Sequence, residues 1–548
     1  MRRVLSLVIA VSVLVSLLAL APGAGAATPT GWTKIADKGI DNPNIPLMVP
    51  SVEFQGKLYF WVPYFGGTDA APVWSYDGTT FSKQGVADGF GDPNNIALNG
   101  GIVYQGYLYM GTANGSGGQV WRTADGTTWE RVGETTFTDP NEPSAQLLGE
   151  QGGKLIIEFN DYNVGVKVWA YDGTDPSSPS AFTRANNDGF GLNVSSSVRC
   201  SETSNGAQFN GRVQVCANLY NASNGNMISF AALEYRGGTT WVQTAQNNFG
   251  DANNINGVSL MATVGGAAYA GTQNNSGGQL WKLDGSGWNR VPTGGINPAQ
   301  SNLVVPAALG DQLEVCTSMS STEGMMVGPA QVYLQNPDGS FSLWIDQFDD
   351  PGNMVIVASE FRGQYVAGVG NQGGFQVWSK SAVPFIESTS PDTGPYGELV
   401  TITGSNFGST RGTSYVSFGS KKATSYTSWT NTQVKVKVPS GCYWTKEVSV
   451  TTWAGTSNTK TFKVKPHISA ISPTSGSVGA YITVGGTGFG SSKSTSSVKF
   501  GTKLAYSSSS SWTNVKVKAK VPTLSKGKTY ITVTTRGGTS NKYTFTVK

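Results

Sequence analysis

The chain has 548 residues, of which 38% are hydrophobic, 13% are charged and 71 are Gly, with a net charge of +4. This length exceeds the roughly 100–200 residues of one domain, and Gly at nearly twice its usual share of about 7% favours an all-β protein with many tight turns. The single His, His467, excludes a Ser-His-Asp triad, a Cys-His dyad and a multi-His metal site within one chain.

A targeting segment is predicted over residues 1–26. A basic start and an apolar run from Val4 to Ala21 are followed by small residues that end at Ala26. This pattern is typical of a secretory signal, and cleavage is expected after Ala26. The alternative is an uncleaved anchor, because the apolar run is about as long as a membrane span. After cleavage no transmembrane segment is expected, and the mature protein is predicted to be extracellular or attached to the cell wall.

A repeated unit of about 50 residues fills residues 27–382. Each copy alternates short apolar stretches with Gly, Asn and Asp turns, which predicts a four-stranded antiparallel sheet. The copies centre on Trp74, Trp121, Trp169, Leu233, Trp281, Tyr333 and Trp378. Seven such units predict a seven-bladed β-propeller, because one four-stranded sheet cannot bury both of its faces alone.

The two ends of this repeat predict how the ring closes. The seventh copy stops after Lys380 without the outer strand that the other copies have, and a strand of that type stands unattached at residues 31–35. Joining the two completes the seventh blade and removes an open sheet edge. We therefore expect residues 28–40 to supply the outer strand of blade seven.

The blade pattern resembles known propeller families. A Gly-Gly pair, an aromatic residue soon after it and a second aromatic residue about eight positions later are similar to kelch-type blades. The turn from Thr123 to Trp129 resembles a shortened Asp-box of sialidase-like propellers. In both families these residues hold the blade together, so the resemblance implies a structural role for them.

Residues 383–465 and 466–548 are two copies of a second unit. Ser390-Pro391 recurs as Ser472-Pro473, and Phe418-Gly419 recurs as Phe500-Gly501, at an offset of 82 residues. Both copies resemble IPT/TIG domains over nearly their whole length, which implies two immunoglobulin-like β-sandwiches. A propeller followed by such domains is similar in layout to semaphorin-type receptors, but the Cys-rich module of those receptors is missing here.

Polar motifs recur on the loops that share one face of the predicted propeller. Asp and Asn close turns by bonding to nearby backbone N–H groups, so turn building is one interpretation. The other is a mouth to the central channel that suits hydroxyl-rich ligands or Ca²⁺, with aromatic rings stacking on sugars. No other cofactor is expected. The candidate ligand-binding residues are Tyr64, Asp92, Asn94, Asn95, Asn114, Tyr162, Tyr220, Asp251, Asn274 and Asn371.

The preferred function is non-catalytic binding of a polysaccharide or surface glycoconjugate, and no catalytic residue is assigned. The alternative is a secreted carbohydrate-active enzyme, a glycoside hydrolase or lyase, with IPT/TIG accessory modules. A glycosidase needs two acids across a cleft, and Asp92, Asp251 and Asp349 could supply such a pair. A third alternative is a structural envelope component that uses all its domains for protein contacts.

Four Cys are too few for a disulfide-stapled scaffold, yet one disulfide is predicted. Cys200 and Cys216 lie on the first two predicted strands of blade four, separated by a turn, and export favours oxidation. We therefore expect Cys200 and Cys216 to be linked across the hairpin. Cys316 and Cys442 have no evident partner.

The charge is divided unevenly along the chain. Residues 383–548 hold 20 Lys and Arg against 4 acids, a net of 20 − 4 = +16, whereas residues 27–382 hold 16 against 30, a net of 16 − 30 = −14. Lys435 and Lys437, and Lys516, Lys518 and Lys520, alternate along predicted strands, so each set shares one sheet face. Protection of an edge strand is one explanation. The other is attachment of residues 383–548 to an anionic cell-wall polymer; no nucleic-acid-reading motif is present.

Overall fold

The computed structural model describes residues 31–37, 45–63, 69–84, 86–161, 163–192, 198–203, 205–221, 223–224, 227–254, 258–274, 276–293, 296, 303–319, 329–371, 373–408 and 410–548. These residues form strands joined by turns, so the predicted all-β class is confirmed. The chain divides into two compact units, with the division between Ser381 and Ala382. The predicted signal segment lies outside the described residues.

In the first unit, the described strands form seven antiparallel sheets, each a meander of four main strands. Sheets 1 to 3 consist of β2 (Val49–Phe54), β3 (Lys57–Trp61), β4 (Trp74–Tyr76) and β5 (Phe81–Lys83); β6 (Asn95–Tyr104), β7 (Tyr107–Asn114), β8 (Val120–Thr123) and β9 (Glu130–Val132); and β10 (Ala145–Gln151), β11 (Lys154–Phe159), β12 (Lys167–Tyr171) and β13 (Phe182–Arg184).

Sheets 4 to 6 follow the same order along the chain. They consist of β14 (Val198–Thr203), β15 (Ala207–Phe209), β16 (Arg212–Asn221), β17 (Met227–Gly237) and β18 (Thr240–Gln243); β19 (Val258–Val264), β20 (Ala267–Thr272), β21 (Leu280–Asp284) and β22 (Gly287–Arg290); and β23 (Leu303–Leu309), β24 (Gln312–Ser318), β25 (Gln331–Gln335) and β26 (Phe341–Asp346). In sheet 4, β14 and β15 both pair with β16.

Sheet 7 joins the two ends of this unit. It consists of β27 (Asn353–Phe361), β28 (Gln364–Asn371), β29 (Gln376–Ser381) and the N-terminal β1 (Thr33–Ala36). β1 runs antiparallel to β29, with Thr33 opposite Ser379 and Lys34 opposite Trp378. The prediction that an N-terminal strand completes the seventh sheet is therefore confirmed, over a shorter segment than residues 28–40.

The core of this unit lies between sheets. Each sheet contacts the sheet that follows it along the chain, and sheet 7 contacts sheet 1, where β27 and β28 meet β2. Phe361 and Val366 of sheet 7 pack in one buried cluster with Leu58 and Phe60 of sheet 1. Apolar layers between successive sheets thus bury the faces that a single sheet would leave exposed.

Trp32 secures the attachment of β1. Its side chain is buried, and its ring packs edge-on against Phe348 at 5.1 Å and Trp344 at 5.5 Å between ring centroids. Because Trp32→Ala leaves a cavity, we expect it to lower the free energy of unfolding by roughly 3–5 kcal/mol. Denaturant unfolding of the full chain measures this. The exposed neighbour Thr33 is the control: Thr33→Ala should change stability by less than about 0.5 kcal/mol. Equal stability of the two variants would show that the attachment of β1 through Trp32 does not stabilise the protein.

Short 3-10 turns connect several of these strands. Those at Asp88–Gly91, Asp188–Gly191, Asn247–Gly250 and Gln347–Asp349 precede sheets 2, 4, 5 and 7, and Pro179–Ala181 precedes β13. A further turn, Ser509–Ser511, lies in the second unit. Of the five turns described in the first unit, four therefore mark the passage from one sheet to the next.

The second unit begins with a sandwich of two sheets. Its front sheet has the order β30 (Phe385–Ser390), β32 (Leu399–Ser405), β36 (Gln433–Lys437) and β35 (Tyr426–Trp429). Its back sheet contains β31 (Thr393–Gly394), β39 (Lys460–Val464), β37 (Trp444–Thr452), β33 (Tyr415–Phe418), β34 (Lys421–Lys422) and β38 (Gly455–Thr456). Val434 and Val436 from the front pack with Phe418 and Phe462 from the back.

A second sandwich repeats the first. Its front sheet has the order β40 (His467–Ser472), β42 (Tyr481–Thr487) and β45 (Lys516–Lys520). Its back sheet contains β41 (Ser475–Gly476), β48 (Tyr543–Val547), β46 (Gly527–Thr535), β43 (Ser497–Phe500), β44 (Lys503–Ala505) and β47 (Gly538–Thr539). The repeat extends to side chains: Asn458 bonds to the backbone of Ile386, and Asn541 bonds to that of Ile468.

Candidate functional site

The turns that lead into sheets 2, 5 and 7 each hold a Phe in the left-handed backbone region. The φ angles are 57° for Phe90, 52° for Phe249 and 47° for Phe348. A bulky residue rarely adopts this conformation, so other contacts must offset its cost. Each ring stacks on the repeat-centre Trp of the sheet that follows, with centroids 4.7–5.0 Å apart. The pairs are Phe90–Trp121, Phe249–Trp281 and Phe348–Trp378.

Beside this stack in sheet 2 lies a closed network of polar side chains. Asp92 Oδ2 accepts hydrogen bonds from Asn114 Nδ2 at 2.9 Å and Gln119 Nε2 at 2.7 Å. Asn95 accepts from Asn114 at 2.9 Å and donates to Gln119 Oε1 at 2.9 Å. Trp121 Nε1 also donates to Gln119 Oε1, at 2.9 Å. The loop, the hairpin and the stacked Trp are thereby joined.

Sheet 5 repeats this network. Asn274 donates to Asp251 at 3.2 Å and to Asn254 at 2.8 Å, while Asn254 donates to Gln279 at 3.0 Å. Gln279 in turn donates to Asp251 and accepts from Trp281. Four polar residues at matching positions therefore make matching bonds in two sheets.

Sheet 7 carries part of the same arrangement. Asn371 Nδ2 donates to Asp350 Oδ2 at 2.8 Å and to Asn353 Oδ1 at 2.9 Å, and Trp378 Nε1 donates to Gln376 at 2.9 Å. The carboxylate in this network belongs to Asp350. It follows Asp349, the acid that the glycosidase alternative named for this loop.

Four predicted ligand-binding residues belong to these networks, and each is at most 8% exposed: Asn95, Asn114, Asn274 and Asn371. Their amide groups bond to other residues of the protein, so the structure favours turn building over ligand binding for them. Asn94 is exposed and Asp92 and Asp251 are half-buried, so these three alone among the described Asp and Asn candidates present surface to a ligand.

The loop carboxylates are poor general acids. Burial raises the pKa of Asp92, but the N–H of Asn94 and the side-chain amide of Gln119 outweigh it, and the pKa lies below its ordinary value. The N–H of Asn253 lowers the pKa of Asp251, with further help from the amide of Gln279. Both groups are therefore ionised at neutral pH, whereas a glycosidase needs one protonated acid.

Of the three tyrosines predicted to bind sugar rings, the structure describes one. Tyr64 and Tyr162 lie outside the described residues. Tyr220 lies near the end of β16, where it is half-buried and pairs with Arg199 of β14 and Met227 of β17. The structure therefore places one of the three tyrosines, at the end of a strand of sheet 4.

In sheet 3, charged side chains occupy the positions that form the amide network in sheets 2 and 5. Lys167 takes the position of Gln119, and its Nζ lies 2.9 Å from Asp139, 2.8 Å from Glu142 and 3.1 Å from Asp161. Glu142 and Asp161 are 5% and 1% exposed. The signal for this cluster in the sequence is Lys167, two positions before the repeat-centre Trp169, where four of the other copies carry Gln.

These three carboxylates are the described group that most resembles a cation site. Their oxygens lie within 4.8 Å of one another. The Lys167 ammonium already binds all three, and this contact raises the pKa of Lys167 despite its burial. Burial raises the pKa of Glu142, against the opposing effect of Lys167. The cluster therefore carries its own cation.

A buried carboxyl group lies between sheets 6 and 7. Glu314 on β24 is fully buried, and its two oxygens accept from the N–H of Ala358 at 3.0 and 3.3 Å. Burial raises the pKa of Glu314 to about 8. Cys316, two residues along the same strand, accepts from the N–H of Ile356 at 3.4 Å, and burial raises its pKa to about 12. Both side chains thus satisfy backbone groups of β27.

The predicted disulfide between Cys200 and Cys216 is wrong. Cys200 pairs with Leu219 across β14 and β16 and packs in a cluster that includes Val215 and Ala217. Cys216 lies between those two residues in β16, and alternate residues of a strand face opposite sides of the sheet. Cys216 accordingly packs in a different cluster, so the two sulfur atoms face different sides.

The lysines of the second unit lie on outer sheet faces. Lys435 and Lys437 alternate along β36 with the buried Val434 and Val436. β36 lies between β32 and β35, so it is not an edge strand. Edge protection therefore does not explain Lys435 and Lys437.

Three further lysines alternate along β45. Lys516, Lys518 and Lys520 are exposed, whereas Val517 and Ala519 between them are buried. β45 ends its sheet and has single bridges beyond it, so edge protection fits this strand. Residues 466–548 contain no Asp or Glu, which leaves this positive face without a neutralising partner in its own domain.

Comparison with known proteins identifies the C-terminal modules. Residues 384–464 and 466–547 match the family model of the IPT/TIG domain, so the prediction of two such domains is confirmed. No propeller or kelch family is matched over the N-terminal sheets. Within the part of the chain that the structure describes, no helix is long and apolar enough to span a membrane.

Parts of the chain are similar to cyclomaltodextrin glucanotransferases. The identity is 39% over 94 residues with the protein of Paenibacillus macerans, which is 17% of this chain and 13% of that one. It is 34% over 89 residues with a protein of Niallia circulans, which is 16% and 12%. The chain therefore spans about an eighth of the length of these relatives.

Two solved structures illustrate the structural likenesses. A fungal alcohol oxidase of the AA5 family in complex with copper has a TM-score of 0.37 and 12% identity, and the match covers 96% of this chain and 100% of that one. SGBP-B from a xyloglucan utilisation locus of Bacteroides uniformis has a TM-score of 0.14 and 20% identity, over 30% and 49%.

Proposed function

We propose that this protein is a non-catalytic carbohydrate-binding protein of the cell exterior, which attaches to acidic polysaccharides through residues 383–548. The observation that carries the proposal is the placement of lysines on the outer faces of both IPT/TIG front sheets. Lys435 and Lys437 lie on an interior strand, where aligned positive charge has no role in edge protection. A positive sheet face of this kind attracts a polyanion.

The first unit has the opposite charge and a different proposed role. Residues 27–382 carry 16 Lys and Arg against 30 acids, so an acidic polymer held by residues 383–548 is repelled from them. We assign these residues to a seven-bladed β-propeller that recognises a polysaccharide or surface glycoconjugate. Two observations support this assignment. Each of the seven sheets contacts the next one along the chain, and β1 pairs with β29. Asp92, Asn94 and Tyr220 are its candidate contact residues.

The enzyme alternative has less support. The relatives are glucanotransferases by name, but this chain spans about an eighth of their length, and that similarity does not carry their activity. The loop carboxylates Asp92 and Asp251 are ionised and hydrogen-bonded within the protein. A location outside the cell rests on the predicted signal in residues 1–26 and on the similarity of part of the chain to cyclomaltodextrin glucanotransferases.

The proposal predicts binding without turnover. At low salt the full exported chain should co-sediment with polygalacturonate, or be retarded in a gel that contains it. The chain should bind neutral hydroxyethyl cellulose far less. Reducing-end detection in the same samples should find no released sugar. Release of sugar would establish the enzyme alternative, and absence of binding to any acidic polymer would contradict the proposed function.

A further inference from the structure

Two exposed tyrosines flank a lysine on the front sheet of the second sandwich. Tyr481 of β42 pairs with Lys520 of β45, and Lys520 also pairs with Tyr506 through an isolated bridge. Residues that pair directly across antiparallel strands point to the same face. The tyrosine row, Tyr481–Lys520–Tyr506, therefore lies on the outer face, where Tyr481 is 55% and Tyr506 is 63% exposed.

The surface beside the tyrosine row is basic. Lys518 pairs with Thr483 and Lys516 pairs with Gly485, on the same outer face as the row. Both lysines are exposed, and their partners on β42 have small side chains. No acid lies within residues 466–548, so these charges have no partner in their own domain.

The first sandwich has the lysine of this row but not its aromatic rings. There Lys437 pairs with Leu399, and the N–H of Lys437 donates to the carbonyl of Ser425 at 2.9 Å. In the second sandwich the N–H of Lys520 donates to the carbonyl of Tyr506 at 2.8 Å. Leu399 and Ser425 thus stand where the second copy has tyrosines, which distinguishes two domains of otherwise matching fold.

We propose that the tyrosine row is the contact site for the sugar rings of an acidic polysaccharide. This inference rests on the proposed function and names the surface and the ligand chemistry. The Tyr481 and Tyr506 strand positions are about 10 Å apart, two inter-strand spacings, which suits two rings of one chain. Tyrosine faces stack on the apolar faces of sugar rings, while Lys516, Lys518 and Lys520 bind the carboxylates of the same chain.

The complementary charge selects the ligand class. A neutral glycan would use the rings but leave three lysines desolvated without partners, which costs free energy. A polyanion without rings, such as polyphosphate, would use the lysines and leave the tyrosines unused. A chain of linked uronic acids supplies both groups in alternation along its length.

The test compares matched variants of the full chain. Tyr481→Ala/Tyr506→Ala should weaken binding to polygalacturonate by about tenfold or more and leave polyphosphate binding unchanged. Leu399→Ala/Ser425→Ala, at the matching positions of the first sandwich, should leave both affinities unchanged. Lys516→Gln/Lys518→Gln/Lys520→Gln should weaken both. Because the tyrosines are exposed, the melting temperature of the tyrosine variant should match that of the parent chain.

The outcomes separate this inference from the proposed function. If the parent chain binds polygalacturonate and the tyrosine variant binds it equally well, the tyrosine row is not the contact site and the proposed function stands. An equal loss of polyphosphate and polygalacturonate binding in the tyrosine variant would also overturn the inference. If the parent chain binds no acidic polysaccharide, the proposed function fails and this inference fails with it.

Discussion

Replacement of Lys167 by Met is expected to be among the most damaging single substitutions in the first unit. It leaves Asp139, Glu142 and Asp161 without their shared cation, and two of these acids are almost fully buried. Removal of one partner from a buried ionic group costs roughly 3–5 kcal/mol of free energy of unfolding. Denaturant unfolding of the full chain at neutral pH measures the loss.

Two variants make this measurement specific. Lys83 pairs with Asp88 at 2.8 Å on the surface, so Lys83→Met should cost no more than about 1 kcal/mol. The triple variant Glu142→Asn/Asp161→Asn/Lys167→Gln installs the amide set of sheets 2 and 5, and it should recover most of the lost stability. A Lys167→Met protein as stable as Lys83→Met would show that the charged cluster does not stabilise sheet 3.

Glu314→Gln should make the protein more stable in mildly alkaline solution and reduce the dependence of its stability on pH. Burial raises the folded-state pKa of Glu314 from 4.5 to about 8, so the folded protein holds a proton that the unfolded chain releases. Stability from this group is complete below pH 4.5 and is lost as pH rises through about 8. The corresponding loss is roughly 4–5 kcal/mol.

Gln retains an acceptor oxygen for the N–H of Ala358 and carries no charge. Unfolding at pH 5 and pH 8.5 should therefore show a smaller difference for Glu314→Gln than for the parent chain. Glu360 contributes in the same direction, because burial raises its pKa to about 7, with a smaller effect from Asp311. Exposed Glu53 is the control for the change from Glu to Gln, and Glu53→Gln should change stability by less than about 0.5 kcal/mol. An undiminished dependence in Glu314→Gln would contradict the account of this site.

Repetition made much of the fold predictable. The period of the seven repeat-centre residues predicted seven four-stranded sheets, and the missing outer strand of the seventh copy predicted the pairing of β1 with β29. The offset of 82 residues predicted two matching sandwiches. These signals depend only on backbone pattern and apolar periodicity, which sequence displays directly.

Side-chain direction was harder to predict. Cys200 and Cys216 lie on β14 and β16, which pair with each other, but the register places the two side chains on opposite faces of the sheet. For the Asp and Asn loops the sequence left turn building and ligand binding open. The Gln two positions before Trp121 and Trp281, which links these loops into amide networks, carries no signal of that role in the sequence. The left-handed Phe residues were also missed, since stacking on a Trp distant in sequence is what permits their conformation.

Strand order decides whether edge protection can explain the lysines. Alternation along β36 and β45 predicted one basic face for each, and this is what the structure shows. Whether a strand lies at an edge depends on tertiary pairing, which alternation alone does not reveal. The tyrosine row was likewise invisible in sequence, because Tyr481 and Tyr506 come together only through the pairing of each with Lys520.

The proposed function requires that the lysines on the two front sheets bind acidic polysaccharide. A salt titration of the binding to polygalacturonate is the most direct test of this requirement. Affinity of the full chain for polygalacturonate would be measured from low to high NaCl, beside a variant with Lys435, Lys437, Lys516, Lys518 and Lys520 all changed to Gln. The account predicts tight binding by the parent chain that weakens steeply as salt screens the charges, and weak, nearly salt-independent binding by the variant. Equal affinity and equal salt dependence of the two proteins would contradict it.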